Sequence, residues 1–118
     1  MSQLERDDGT VIAAQVELAT GLWSRFVGLM GRSDLPRGHA LYIRPCNSIH
    51  MFFMRFAIDA AFLDGEGRVL RVYDTLRPWR MTRIVPRSKA VAELPAGTLR
   101  EHGITAGDRL RVTDAAGG

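Results

Sequence analysis

The sequence predicts an α+β domain, mainly β, in which antiparallel strands form one bent, barrel-like sheet with a single covering helix and a second short helical turn. Three observations carry this. Short apolar or alternating runs recur along the chain, separated by Gly, Pro and Asp of the kind that end strands. Asp64-Gly65-Glu66-Gly67 lies between two apolar runs, a strong hairpin signal, and hairpins join antiparallel strands. One segment, after Thr20, shows helical periodicity over several turns.

Taken in order, Val11 to Leu18 is moderately apolar and partly alternating after Asp8-Gly9, which predicts a strand leaving a turn. Thr20 can cap the helix, because Leu22, Phe26, Leu29 and Met30 recur at helical spacing and Gly31 suits its end. Ala40 to Ile43 reads as a short strand before Pro45. Ile49 to Phe56 and Ile58 to Leu63 read as two further strands, and Arg68 to Tyr73 returns as the hairpin partner of the second. Pro78 and Pro86 bracket an irregular basic segment. Ala90 to Leu94 is a strand closed by Pro95-Ala96-Gly97, Thr98 and Glu101 fit a capping box for one helical turn, and Arg109 to Val112 is the last strand. The expected unit is a single domain over residues 1–118, with an ordered core of about 8–113 and a disordered C-terminal tail.

Composition excludes several classes. No apolar stretch reaches the roughly 18 charge-free residues of a membrane span, and the polar N-terminus lacks the basic start and apolar core of a signal peptide, so a cytoplasmic protein without a membrane partner is expected. Cys46 is the only cysteine, which rules out an intrachain disulfide and a cysteine-based zinc cluster. The net charge of +3 is carried almost wholly by arginine, with Lys89 the only lysine. It is low for a nucleic-acid binder.

Four blocks then point to a known family. GLMGR (Gly28–Arg32), FFMRFAIDAAFLD (Phe52–Asp64), VAELPAG (Val91–Gly97) and GITAGDRL (Gly103–Leu110) occur in an order and spacing that resembles domain-of-unknown-function family 192, over nearly the whole chain. The resemblance implies a small α+β fold around a strongly bent antiparallel sheet and no established activity. It singles out Arg25, Gly28, Leu29, Met30, Arg32, Met54, Asp59, Glu93, Gly97, Gly107 and Asp108. The place of Ala57 is often proline in similar sequences.

The most apolar run, Ile49 to Asp64, contains His50, Arg55 and Asp59, and the apolar run around Glu93 contains that carboxylate. A charge in such surroundings costs several kcal/mol unless paired. Asp59 and Glu93 are therefore expected either to bind backbone N–H groups or a fixed arginine (Arg25, Arg32 or Arg55), or to share one polar pocket closed by Arg25 or Arg32. Cys46 and His50 lie four apart, yet match no cysteine-enzyme or zinc pattern. Met30, Met51, Met54 and Met81 fit a core or a soft pocket lining. Arg68 to Arg87 is rich in arginine around Trp79, which suits either a solvated face or anion binding.

The leading expectation is a small-ligand or anion-binding accessory domain with a polar pocket in an apolar sheet, lined by Asp59, Glu93, Arg25, Arg32, His50 and Met54. Two alternatives stay open: an enzyme using Asp59 and Glu93 as acid and base, and a protein-interaction module presenting an exposed aromatic patch. No catalytic residue, cofactor or metal ligand is assigned. A small-molecule or anionic ligand is the expected partner, and the oligomeric state is open.

Overall fold

The computed structural model describes residues 2–21 and 32–114. The strands are β1 (Ser2–Arg6), β2 (Val11–Ala19), β3 (His39–Ile43), β4 (Ile58–Leu63), β5 (Val69–Leu76), β6 (Ala90–Pro95) and β7 (Leu110–Asp114), with one short helix, α1 (Thr98–Glu101), among the described residues. They form a seven-stranded sheet in the order β5-β4-β6-β3-β2-β1-β7. The covering helix expected from Thr20 to Gly31 falls almost wholly outside the described residues.

The sheet curls far enough for its two edge strands to meet at one end. Arg68 and Arg109 form an isolated antiparallel bridge. Beside it, Leu110 N–H donates to Gly67 O at 2.9 Å and Val69 N–H to Asp108 O at 2.7 Å. One buried cluster joins Leu4, Ile12, Ala40, Leu63, Val69, Leu94 and Leu110, so it draws on all seven strands. Only the concave side of a curled sheet can bring all of them together. A second cluster, with Leu41, Ile58, Ala60, Phe62 and Val91, lies on the convex side and is covered by Ile49, Met51, Met54 and Val85 from the connections. β4 and β6 are central and buried on both faces, which is why their sequences are near-continuous apolar runs rather than alternating ones.

The β4–β5 hairpin forms at Asp64–Gly67 as the turn sequence predicts. Asp64 Oδ1 accepts from Glu66 N–H at 2.8 Å and from Arg68 N–H at 2.9 Å, which fixes the turn. Several other expectations are corrected. The sheet is mixed, because β2 and β3 pair in parallel. A parallel pair needs a crossover of about a dozen residues or more, and residues 20–38 supply it. β1 was not expected, because SQLER is polar and buries only Leu4 deeply. It is held from both sides, by β2 and β7.

Ile49–Phe56 is not a strand. Its backbone pairs irregularly with residues 79–85: Met51 N–H donates to Arg80 O at 2.6 Å, Trp79 N–H to Met51 O at 2.7 Å and Thr82 N–H to Ile49 O at 2.9 Å. A turn at Phe52-Phe53, with Phe53 at φ 65°, breaks any strand there. The capping box also does not form. Gly97 occupies the N-cap of α1 in the left-handed region, and the Thr98 hydroxyl donates to Pro95 O at 2.7 Å.

Candidate functional site

Asp59 is fully buried and its carboxylate is met by backbone donors on both oxygens. Oδ1 accepts from Thr75 N–H at 2.8 Å and Oδ2 from Leu99 N–H at 2.9 Å. Thr75 lies at a register shift between β4 and β5 and has φ 53°, so its N–H turns away from the ladder and toward Asp59. Leu99 is the second residue of α1, whose first N–H groups have no partner within the helix. Asp59 thus ties two strands to the helix turn, the backbone-binding role that a carboxylate in an apolar strand can take.

Glu93 lies on the other side of the sheet. Residues directly opposite in an antiparallel pair share a face, and successive residues alternate. Asp59 is opposite Leu94, whereas Glu93 is opposite Ala60. Leu94 belongs to the concave cluster and Ala60 to the convex one. Asp59 and Glu93 therefore point in opposite directions, and the expected shared pocket does not form.

On the convex face Glu17, Leu41 and Glu93 lie in one row across β2, β3 and β6. Glu93 is 5% exposed and accepts no hydrogen bond from the described residues. Burial pushes its carboxyl up to about 7, against a smaller downward pull from Arg32. Arg32 itself makes a two-point ion pair with Glu17, at 2.9 and 3.1 Å. So Arg32 is near enough to bias Glu93 electrostatically while spending its hydrogen bonds on Glu17, whose carboxyl it holds below the usual range. Arg25, the other arginine expected to close a pocket, lies outside the described residues. Arg55 is exposed.

Met54 is buried in the convex cluster. His50 is half-buried, with its ring 5.0 Å from that of Phe52 and its Nδ1 accepting from Phe52 N–H at 3.2 Å. The Cys46 thiol donates to Ser48 O at 3.1 Å. His50 thus helps shape the paired segments around residues 47–54 and 79–85, and those segments carry most of the large exposed apolar side chains among the described residues. Phe53, Trp79, Met81 and Ile84 are 59–67% exposed, and Phe52 is 37% exposed. The Trp79 ring sits 5.0 Å from Phe53 and 6.0 Å from Phe52. Both Phe53 and Trp79 have positive φ, 65° and 68°. Such strain costs of order 1–3 kcal/mol per residue and persists only where the surroundings enforce it. Here Trp79 N–H is anchored on Met51 O. Arg55, Arg77, Arg80 and Arg83 are exposed on the same two segments. Neither residues 44–57 nor residues 75–92 contain a single Asp or Glu.

Residues 3–112 match the sequence profile of domain-of-unknown-function family 192, described as "Uncharacterized ACR". The chain belongs to this family. It is similar to the UPF0127 protein PF1050 of Pyrococcus furiosus, 35% identical over 86% of this chain and 90% of that one. A UPF0127 protein of Pyrococcus abyssi, PYRAB11210, is 38% identical over 81% and 84% of the two chains. The crystal structure of a protein of unknown function from Novosphingobium aromaticivorans superposes with a TM-score of 0.80 at 21% identity, covering 93% of this chain and 82% of that one, a likeness of fold.

In this family 192 chain the exposed ridge was only partly legible. Trp79 among arginines was visible as a segment. Phe52 and Phe53 sit in the most apolar run of the sequence, which predicts a strand there rather than an exposed turn. The signal that links the two segments is their shared lack of acids, which marks both as one electrostatic surface. Arg68 and Arg71, counted with that basic segment, are placed elsewhere: Arg68 bridges β5 to β7 and the Arg71 guanidinium lies 4.9 Å from the Tyr73 ring.

Proposed function

We propose that this chain is a protein-interaction module that docks through its aromatic–arginine ridge onto a partner protein with an acidic rim around an apolar centre. The observation that carries the reading is the exposure of Phe53 against Trp79, with Met81 and Ile84 exposed on the same segment as Trp79, among arginines in two acid-free segments. Interface centres are enriched in aromatic residues, Met and Arg and depleted of Lys, Glu and Asp, which is the composition of this ridge. Exposed contiguous apolar surface of this kind on a folded protein marks interaction sites more often than idle surface. The anchored backbone at Trp79 and the packed rings mean that little side-chain freedom is lost on docking, which favours affinity.

The acid–base enzyme reading is weakened by the opposite orientations of Asp59 and Glu93 and by the backbone donors that occupy both Asp59 oxygens. Nucleic acid is the weaker partner for the ridge, because Met81 and Ile84 offer no face on which a base can stack.

The test uses the full chain as bait in a native extract, beside a Phe53→Ser/Trp79→Ser variant and an Arg80→Glu/Arg83→Glu variant. A protein that binds the wild type, is lost from both variants and binds the purified wild type in calorimetry with salt-sensitive affinity supports the reading. Variants that unfold like the wild type and retain every bound protein refute it.

A further inference from the structure

A second surface, separate from the ridge, lies at the mouth of the curled sheet. Two adjoining depressions with volumes of about 400 and 460 Å³ share Tyr42, Arg44, Gly65 and Gly67. Lys89 lines the first of them. We infer that this mouth binds a small ligand through an oxyanion group, a phosphate or a carboxylate, held by Arg44 and Lys89 with the Tyr42 hydroxyl as a third donor.

Sheet mouths are common ligand sites, and the volumes fall in the range of small-molecule pockets. The donor set is available. Neither Arg44 nor Lys89 has an ion-pair partner among the described residues, and the Tyr42 hydroxyl has no hydrogen-bond partner there. Burial raises the Tyr42 phenol above its ordinary value, so at neutral pH it is an O–H donor. Two cations without an ion-pair partner among the described residues and a neutral donor around one concavity suit an oxyanion, and the cations come from different strand ends, after β3 and before β6.

Two acids also line the mouth, and both are engaged. Asp64 Oδ1 takes two N–H groups of its own turn, and Glu66 lies 3.8 Å from Arg109. Gly65 and Gly67 keep this wall low. A Cβ on Gly67 would come within 2.3 Å of Leu110 O, so that position must stay bare for the sheet to close at the mouth.

The experiment titrates the full chain with inorganic phosphate and, separately, with acetate, at constant ionic strength set by chloride, and follows backbone amides by heteronuclear NMR. Saturable shifts at Gly65, Gly67, Lys89 and Ala90 at millimolar ligand are expected. A phosphate constant at least about fivefold tighter than that of acetate assigns a phosphate group, and the reverse order assigns a carboxylate. Arg44→Gln/Lys89→Gln should abolish saturation. Tyr42→Phe should weaken it by roughly tenfold to a hundredfold, the loss of one hydrogen bond to a charged group. The Phe53→Ser/Trp79→Ser variant should bind the anion as the wild type does, which keeps this test independent of the ridge. Absence of saturation with both anions, or saturation that survives Arg44→Gln/Lys89→Gln in a folded variant, overturns the inference.

Discussion

Two carboxylates on neighbouring strands of one sheet show how local surroundings decide a residue's role. Asp59 is buried, but each oxygen accepts a backbone N–H, so its charge is compensated without a cation. Asp59→Ala removes both acceptors and leaves the buried Leu99 N–H and the part-buried Thr75 N–H unmet. Hydrogen bonds to charged groups contribute about 1.5–3 kcal/mol each, so a loss on the order of 3 kcal/mol or more in urea unfolding is expected. Asp59→Asn, which keeps one acceptor, should lose about half as much. A loss below about 1 kcal/mol for the alanine variant would mean that the Thr75 and Leu99 amides are held by something else. Glu93 is the opposite case. Its folded-state carboxyl is raised from 4.5 to about 7 by burial, so the folded protein binds the proton more tightly than the unfolded chain does. The stability this contributes is fully present below about pH 4.5 and is lost as pH rises through about 7. Over that window the loss is roughly 3 kcal/mol at 1.36 kcal/mol per pH unit. Glu93→Gln should flatten this part of the profile, matching the wild type near pH 4 and exceeding it in stability at pH 8. An unchanged slope between pH 4.5 and 7 in the variant would refute the assignment.

At the scale of elements, what the sequence revealed follows from how each element is stabilised. β4 was bounded correctly because it is an apolar run ended by a turn signal, and β6 differs from the expected strand only by Pro95. The β4–β5 hairpin was legible because Asp64 supplies its own turn acceptor. The segments around residues 47–54 and 79–85 were not, because their pairing is irregular and between stretches distant in sequence, and no period marks it. The aromatic content of Phe52-Phe53 made that stretch look like a core strand. β1 was missed for the converse reason: its polar side chains are used within the sheet, with Glu5 accepting from Thr113 at 2.6 Å and from Gln3 at 2.7 Å. The site suffered most, because face assignment needs register, and a single-residue offset between Asp59 and Glu93 across β4 and β6 turns them apart. Register also predicts the weight of Gly67. It has φ 82°, and a Cβ there would meet Leu110 O at 2.3 Å, so Gly67→Ala combines backbone strain with a clash against backbone. A loss of roughly 2 kcal/mol or more is expected, whereas Gly9→Ala, at φ 89° with nothing near its Cβ, should lose only the conformational part, about 1 kcal/mol. Equal losses for the two variants in urea unfolding would show that Gly67 is not a closure point.

For the whole molecule, the strand order places the N-terminal strand between β2 and the C-terminal strand, and β7 is attached to the sheet by β1 on one side only. On its other side β7 meets β5 through the single Arg68–Arg109 bridge and its adjacent hydrogen bonds. The concave cluster then depends on this closure, since Leu4 and Leu110 come from β1 and β7 and are both almost fully buried. Contacts between the two ends of a chain carry a large loop-closure cost before they are rewarded, so closing this sheet should be a late event in folding. The same geometry predicts the effect of removing residues 2–6. Their loss would expose the β2 edge, leave β7 with the Arg68–Arg109 bridge and its adjacent hydrogen bonds, and open the concave cluster at Leu110. Hydrogen exchange on the shortened chain should show β7 and the outer edge of β2 unprotected, with β4 and β6 retaining the strongest protection, because those two strands are paired on both sides and buried on both faces. Full protection of β7 in the shortened chain would mean that the bridge at Arg68 and Arg109 holds the strand by itself, and that the sheet is closed from the β5 side rather than through β1.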